Sequence, residues 1–252
     1  MTDDRLFQFI QKVQSDRPWG RVLDAGTGRH SLAWISSLST TQWTAVTGEE
    51  DRSKRLEHEF RSRMRSNDRV VFGNWLDPAF LHNDVYDVVI ADYLLGALDG
   101  FAPYFQDRLF PRLRSHVRTR IYVIGLQPYE LFPDSNGGRI VREIARLRDA
   151  CILLAGDRCY REYPLDWSIR HLEGAGFTVE EVQRFPIRYG DTFVREQLDV
   201  CERKLPRIAD AALVSGLGER IDNVRRRALD LCRLEGGIRF GEDYVIAARP
   251  TS

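Results

Sequence analysis

Short apolar runs alternate with longer stretches of helical periodicity along most of this chain. The apolar runs lie at 21–26, 43–48, 69–73, 86–92 and 120–126. Within one of them, Val88, Val89 and Ile90 follow one another without polar alternation, which is typical of a central parallel strand covered on both faces. Alternation of strand and helix in this manner predicts an α/β fold built around a parallel sheet.

The spacing of apolar residues also predicts where the helices lie. Helices are predicted at 4–15, 29–38, 51–65, about 101–115, 138–155 and 166–173. Two further strands are predicted at 177–187 and 243–250, and the stretch between them, 191–238, has strong helical periodicity. We expect Pro206 and the step Gly216–Gly218 to divide that stretch into two or three helices.

These patterns predict one domain over residues 1–252, with a leading helix within 1–18 and a helical insertion at about 191–238. The insertion precedes the last strand and is interpreted as part of the domain. Together with the leading helix it is expected to form a cap over the functional site or a contact between two copies in a homodimer.

Charge and cysteine content exclude several classes of function. Lys and Arg number 37, as do Asp and Glu, so no global field favours nucleic acid or a membrane surface as a partner. The basic runs 61–65 and 225–227 lie in helical stretches that also contain Glu and Asp, and they are interpreted as solvated helix faces. The start of the chain has no secretory pattern, and the apolar stretch 85–98 is too short to span a bilayer. The four cysteines form no metal-ligand spacing, so we predict a cytoplasmic protein without a metal site.

The motif VLDAGTG at residues 22–28 joins the first predicted strand to the next helix. A glycine-rich turn there lets the backbone approach a ligand, and the helix N-terminus offers free N–H groups. The motif is also compatible with a nicotinamide-binding fold, whose fingerprint is GxGxxG. Ser31 occupies the third glycine position and weakens that interpretation.

The chain resembles the class I methyltransferases that depend on S-adenosylmethionine (SAM), over about 19–190 and the final strand. The resemblance rests on VLDAGTG, on TGEED after the second strand, on Gly73-Asn74-Trp75 after the third, and on the late pair EGAGFTVEEV and DYVIAARP. It implies a Rossmann-like, mostly parallel seven-stranded sheet with a reversed last strand and helices on both faces. It also implies SAM as the cofactor.

The resemblance assigns roles to residues at the ends of the strands. The methionine side of SAM is expected over Asp24, Ala25, Gly26, Thr27 and Gly28. Glu49 or Glu50 would bind the ribose hydroxyls, and the family spacing favours Glu50. Asn74 stands where the family usually has Asp and would accept from the adenine amine, with Trp75 over the adenine face. Asp92 and Tyr93 would lie beside the methyl group as catalytic candidates.

Each assignment has a structural alternative. Glu49 and Glu50 also suit the start of a helix, where the dipole favours acids. Asn74 and Trp75 are equally well interpreted as a loop residue and a core aromatic, and Asp92 as the cap of a strand end.

The methyl acceptor is the least determined part of the prediction. Tyr160 and Tyr163 would form an aromatic wall for a cationic or planar acceptor, or would pack at the end of the sheet. We predict methyl transfer to an N- or O-nucleophile of a small molecule, with no general base assigned. The alternatives are an NAD-dependent oxidoreductase and a catalytically silent SAM-binding partner subunit.

Overall fold

A computed structural model of the protein describes residues 4–251 and contains a seven-stranded sheet. The strands are β1 (Arg21–Asp24), β2 (Gln42–Thr47), β3 (Arg69–Phe72), β4 (Tyr86–Asp92), β5 (Val117–Leu126), β6 (Phe177–Tyr189) and β7 (Ile238–Pro250). Their order in the sheet is β3-β2-β1-β4-β5-β7-β6. Strands β1 to β5 pair in parallel, and β7 is antiparallel to β5.

The strand order confirms the predicted fold class. In an open sheet of this kind, ligands bind at the carboxyl ends of the strands, where the chain direction of successive crossovers changes. Here that point lies between β1 and β4, which pair from Val22 with Val88 to Asp24 with Ile90. The sheet therefore brings the glycine motif after β1 next to the residues that end β4.

The described residues form α1 (Arg5–Gln14), α2 (Arg29–Ile35), α3 (Glu50–Phe60), α4 (Leu94–Phe101), α5 (Gln106–Arg114), α6 (Asn136–Leu154), α7 (Leu165–Gly174), α8 (Asp191–Lys204) and α9 (Ala211–Glu235). In the described part of the chain, no helix has the length and apolar character needed to cross a membrane.

Alternating side chains of the strands place two apolar cores on opposite faces of the sheet. On one face, Val22, Ile90 and Val245 share a buried cluster with residues of α1, α2 and α3. On the other face, Leu23 and Val89 share a cluster with residues of α4, α5 and α7. Helices therefore cover both faces, as predicted.

Three details of the predicted elements are wrong. The helix expected near 101–115 is present as the shorter α5, but α4, which begins directly after β4 and ends at Phe101, was not predicted. The step Gly216–Gly218 does not interrupt α9, which runs through it for 25 residues. Strand β7 begins at Ile238, five residues earlier than predicted, and consequently shortens the insertion.

The chain divides into two compact units. The first comprises residues up to 126, 161–185 and the chain from 243 onward; the second comprises 127–160 and 186–242. The second unit has its own core, in which α6, α8 and α9 pack through residues such as Ile144, Leu198 and Val224. The segment between β5 and α7 thus joins the predicted insertion in one unit. The expected role of the insertion as a cap or dimer contact stays a prediction.

The continuous course of α9 through its two glycines leads to a stability prediction. Gly216 is exposed, and a Cβ added there would meet no atom within 4 Å, so Gly216→Ala should raise the free energy of unfolding by about 0.5–1 kcal/mol. In Gly156 the backbone φ is +80°, so Gly156→Ala should destabilise by about 1–2 kcal/mol. Urea denaturation measures both, and a loss of stability in Gly216→Ala would indicate a break in α9.

Candidate functional site

The turn after β1 is held by both neighbouring strands. The amide of Ala25 donates to the carbonyl of Ile90 at 2.8 Å, and that of Thr27 to the carbonyl of Val46 at 2.6 Å. These bonds fix the turn over the switch point of the sheet. The loop backbone is therefore a rigid surface on which a ligand can rest.

The two glycines of this turn, Gly26 and Gly28, meet different structural requirements. A Cβ on Gly26 would lie 2.7 Å from Cδ1 of Leu94, so the close approach of α4 requires the missing side chain. A Cβ on Gly28 would meet nothing within 4 Å. Gly28 caps the N-terminus of α2, and its amide donates to the Ser31 hydroxyl at 3.0 Å. The open side of the turn is therefore at Gly28.

Asp24 is fully buried at the end of β1. Within residues 4–251, neither of its carboxylate oxygens has a hydrogen-bond partner of ordinary geometry. Burial raises the pKa of Asp24 to about 6, against smaller lowering contributions from the nearby hydroxyls of Thr27 and Ser31. A fully buried carboxylate is costly to ionise unless it is paired, so Asp24 is a candidate contact for a cationic or N–H-bearing ligand.

Asp92 ends β4, one strand away from Asp24. Val22, Ile90 and Val245 belong to the same buried cluster on one face of the sheet. Side chains two positions apart on a strand project from the same face, so Asp24 and Asp92 also project from that face. Burial, followed by the charges of Asp24, Asp4 and Asp243, raises the pKa of Asp92 to about 8. The structure thus brings two of the predicted site residues together.

Tyr93 has a left-handed backbone, with φ of +47° and ψ of 20°, where β4 passes into α4. That conformation costs a non-glycine residue about 1–2 kcal/mol. The phenol donates a hydrogen bond to Asp243, and burial together with that charge raises its pKa far above the ordinary value. Tyr93 therefore stays a neutral hydrogen-bond donor. Strain of this kind is concentrated at functional sites.

Two acids that sequence reasoning missed complete the group. Asp243 lies on β7 opposite Leu126 of β5; burial raises its pKa to about 6, although the hydrogen bond from Tyr93 lowers it. Asp4 caps α1 and pairs with Nε2 of His30 at 2.8 Å. We refer to Asp4, Asp24, Asp92 and Asp243 as the acidic edge. Among residues 4–251, no three acids, histidines or cysteines are arranged to hold a metal ion.

Glu49 and Glu50 both lie at the tip of β2, and both carboxylates reach solvent. Glu50 begins α3 and pairs with Lys54 at 2.8 Å, while Glu49 precedes the helix and lies 3.9 Å from Arg52. The Glu50–Lys54 pair lowers the pKa of Glu50. A ribose bound by Glu50 would compete with the close ion pair to Lys54. A ribose bound by Glu49 would compete only with the longer contact to Arg52. Each acid thus stays a candidate.

The interpretation of Trp75 as a cover for adenine is wrong for this structure. Its side chain is 3% exposed and its indole N–H donates to the carbonyl of Ala25 at 2.7 Å. Trp75 lies in the core beneath the glycine turn and supports the turn through this hydrogen bond. Asn74 is also engaged: its amide donates to the carbonyl of Phe101, and its oxygen accepts from the amide of Leu76.

The two tyrosines proposed for the acceptor lie in different units of the chain. Tyr163 is half-buried in the first unit, where its ring lies 4.5 Å from that of Trp167 and its carbonyl accepts from the hydroxyl of Tyr244. Tyr160 ends a segment of the second unit and is 48% exposed. Tyr163 therefore has a packing role in the core, in line with the structural alternative.

Comparison with models of known protein families finds no match, and neither does comparison with curated protein sequences. Comparison with solved structures does find neighbours. One is a proposed methyltransferase of Bacillus halodurans, with a TM-score of 0.62, 15% identity and coverage of 98% of this chain and 99% of that one. Another is the YcgJ protein of Bacillus subtilis, with a TM-score of 0.61, 16% identity and coverage of 97% of each chain.

A third neighbour is the mycolic acid cyclopropane synthase CmaA1, solved in complex with S-adenosylhomocysteine (SAH). It has a TM-score of 0.55 and 14% identity, with coverage of 98% of this chain and 87% of that one. At these identities the likeness establishes the fold. The protein has the seven-stranded fold of class I SAM-dependent methyltransferases, with the last strand reversed.

The buried carboxylate of Asp24 makes stability depend on pH. Its pKa of about 6 lies above the ordinary 3.8, so the folded state holds the proton more tightly and stability falls as pH rises from 4 through 6. Asp24→Asn removes this cost and should raise the free energy of unfolding by about 1–3 kcal/mol at pH 8, with little gain at pH 4.

Urea denaturation at the two pH values checks this prediction. The exposed Asp16 provides the control, since Asp16→Asn removes the same charge from solvent and should change stability at neither pH. An equal effect of Asp24→Asn at pH 4 and pH 8 would contradict the assigned cause.

Proposed function

We propose that this protein binds SAM at the carboxyl edge of its sheet and transfers the methyl group to an N- or O-nucleophile of a small molecule. The observation that carries the proposal is the acidic edge, above all the fully buried carboxylate of Asp24, whose pKa burial raises to about 6. The fold provides the general setting, since structural neighbours include an enzyme complex with SAH.

The residues present fit the charge of SAM. The cofactor carries a sulfonium, an ammonium and a carboxylate group, and the two cationic groups would be stabilised by ionised carboxylates in a medium of low dielectric. Burial is the main cause of the raised pKa of both Asp24 and Asp92. The charge of Asp24 raises the pKa of Asp92 further. A bound cation would offset the cost of ionising these carboxylates. A dinucleotide, which carries a negatively charged pyrophosphate, would increase it.

The turn geometry fits the remaining parts of the cofactor. Gly28 leaves open space beside the N-terminus of α2, and the carboxylates of Glu49 and Glu50 lie after the adjacent strand. A carboxylate can accept from both ribose hydroxyls at once. The backbone near Asn74, whose side chain is engaged, would contribute the adenine contacts.

Methyl transfer needs alignment more than covalent assistance from the protein. The reaction is an in-line displacement in which the acceptor's lone pair bonds to the methyl carbon as the carbon–sulfur pair returns to sulfur, leaving SAH. A protonated acceptor must also lose a proton. Asp243, whose pKa of about 6 leaves it ionised at neutral pH, is suited to accept it, and the Tyr93 hydroxyl would orient that carboxylate.

Calorimetry on the full chain tests the cofactor first. SAM and SAH should bind, whereas NAD should not, because the acidic edge repels its pyrophosphate. Binding of NAD alone would favour the oxidoreductase and overturn the proposal. Transfer of labelled methyl from SAM to metabolites of a cell extract then tests the reaction; SAM binding with no transfer to any metabolite would favour a silent partner subunit.

The acidic edge predicts how SAM affinity depends on pH. The pKa values of about 6 for Asp24 and Asp243 and about 8 for Asp92 mean that these groups ionise between pH 5.5 and 8.5. SAM affinity should therefore increase over that range relative to SAH, which lacks the sulfonium charge but shares the amino group. Calorimetric titration at several pH values gives the ratio. A constant ratio would mean that the sulfonium does not face these acids.

The two acids after β2 can be separated by substitution. Replacing the acid that holds the ribose with Ala should weaken the free energy of SAM binding by about 1.5–3 kcal/mol, because charge-assisted hydrogen bonds are lost. Glu49→Ala and Glu50→Ala are matched controls for each other, and SAM calorimetry decides between them. Unchanged affinity in both variants would remove this loop from the cofactor site.

A further inference from the structure

A groove in the second unit is lined mainly by arginines. It is an open surface groove of about 640 Å³ between α6, the segment before it and α9. Its lining consists of Asp134, Arg139, Arg142, Glu143, Arg146, Leu147 and Arg220. We call it the arginine groove. Every lining residue belongs to the second unit, so the groove is separate from the acidic edge.

One wall of the arginine groove is built around Arg142. Its side chain is 13% exposed and its guanidinium donates to the carbonyl of Tyr129 at 3.3 Å and pairs with Asp134. The same guanidinium lies 4.9 Å from the ring centre of Phe240. These contacts fix a positive charge at a partly desolvated position, so the wall is preformed.

The acids of the groove are shared among several arginines. Glu143 pairs with Arg220 of α9 and also with Arg227, which lies 3.1 Å away. Asp134 pairs with Arg139 as well as Arg142. Two carboxylates thus serve four arginines, and positive charge is left in excess although the whole chain has a formal net charge of zero.

Arg146 carries the least compensated charge of the groove. It is exposed and lies four residues after Arg142 on the same face of α6, a spacing at which like charges destabilise a helix by about 0.2–0.5 kcal/mol. Across the groove stands Arg220, whose carboxylate partner is already shared. A guanidinium presents planar paired donors that match phosphate and carboxylate groups.

We propose that the arginine groove binds the anionic group of a small molecule, a phosphate or a carboxylate, with Arg146 and Arg220 as its contacts. Arg142 and Glu143 hold the walls in place. The site extends beyond the proposed methyl transfer and does not depend on it, since the two sites share no residue.

Calorimetry on the full chain at low ionic strength tests the groove, with pyrophosphate and citrate as separate probes. At least one probe should bind, and Arg146→Glu should weaken its binding at least tenfold. Arg146→Lys keeps the charge but loses the paired donors of the guanidinium, so it should weaken binding less than Arg146→Glu and more than the control below. Preference for pyrophosphate would assign a phosphate ligand, and preference for citrate a carboxylate.

Arg226→Glu is the matched control, because Arg226 is an exposed arginine of α9 that does not line the groove. It should change the affinity less than twofold. Absence of binding by both probes would overturn the proposal, as would equal weakening in Arg146→Glu and Arg226→Glu, since that result would indicate attraction by net charge alone. No step of the test involves SAM, so its failure would leave the proposed methyl transfer unaffected.

Discussion

Carboxylates of β1, β4 and β7 project from one face of the sheet at one of its edges, and burial raises the pKa of each. Asp24 is the most constrained of them, because it has no exposed surface and the nearby hydroxyls of Thr27 and Ser31 only partly offset the effect of burial on its pKa. Each ionised neighbour raises the cost of ionising the next. The edge is therefore stable only when protons or a cationic ligand reduce its charge.

The surrounding contacts are arranged to keep this edge rigid. The indole of Trp75 holds the carbonyl of Ala25 from the core, and Leu94 fills the space that a side chain at Gly26 would need. Tyr93 adopts a strained backbone and directs its hydroxyl to Asp243. These contacts hold the charges in a fixed arrangement, at a cost in the free energy of folding from the strained backbone of Tyr93. Such a cost is common at preorganised sites.

Much of the fold could be predicted from sequence because strand and helix periodicity is a local property. The strands and the place of the glycine turn between β1 and α2 follow from it, and so does the position of Asp92 at the end of β4. The errors arise where long-range packing decides. Nothing local distinguishes a Trp75 that covers a ligand from one that lies beneath a turn, and α9 continues through Gly216 because its other residues pack against α6 and α8.

Asp243 and Asp4 were missed for a related reason. They lie 239 positions apart in the printed sequence; Asp4 belongs to no recognised motif, and Asp243 opens the motif DYVIAARP, which predicted a strand but no ligand contact. What joins them to Asp24 and Asp92 is the register of β7 with β5 and the packing of α1 on one face of the sheet. A neutral chain can thus concentrate acids at the sheet edge and arginines in a groove of another unit. Net charge consequently says little about the ligands of either site, whereas the pairing of each buried charge is informative.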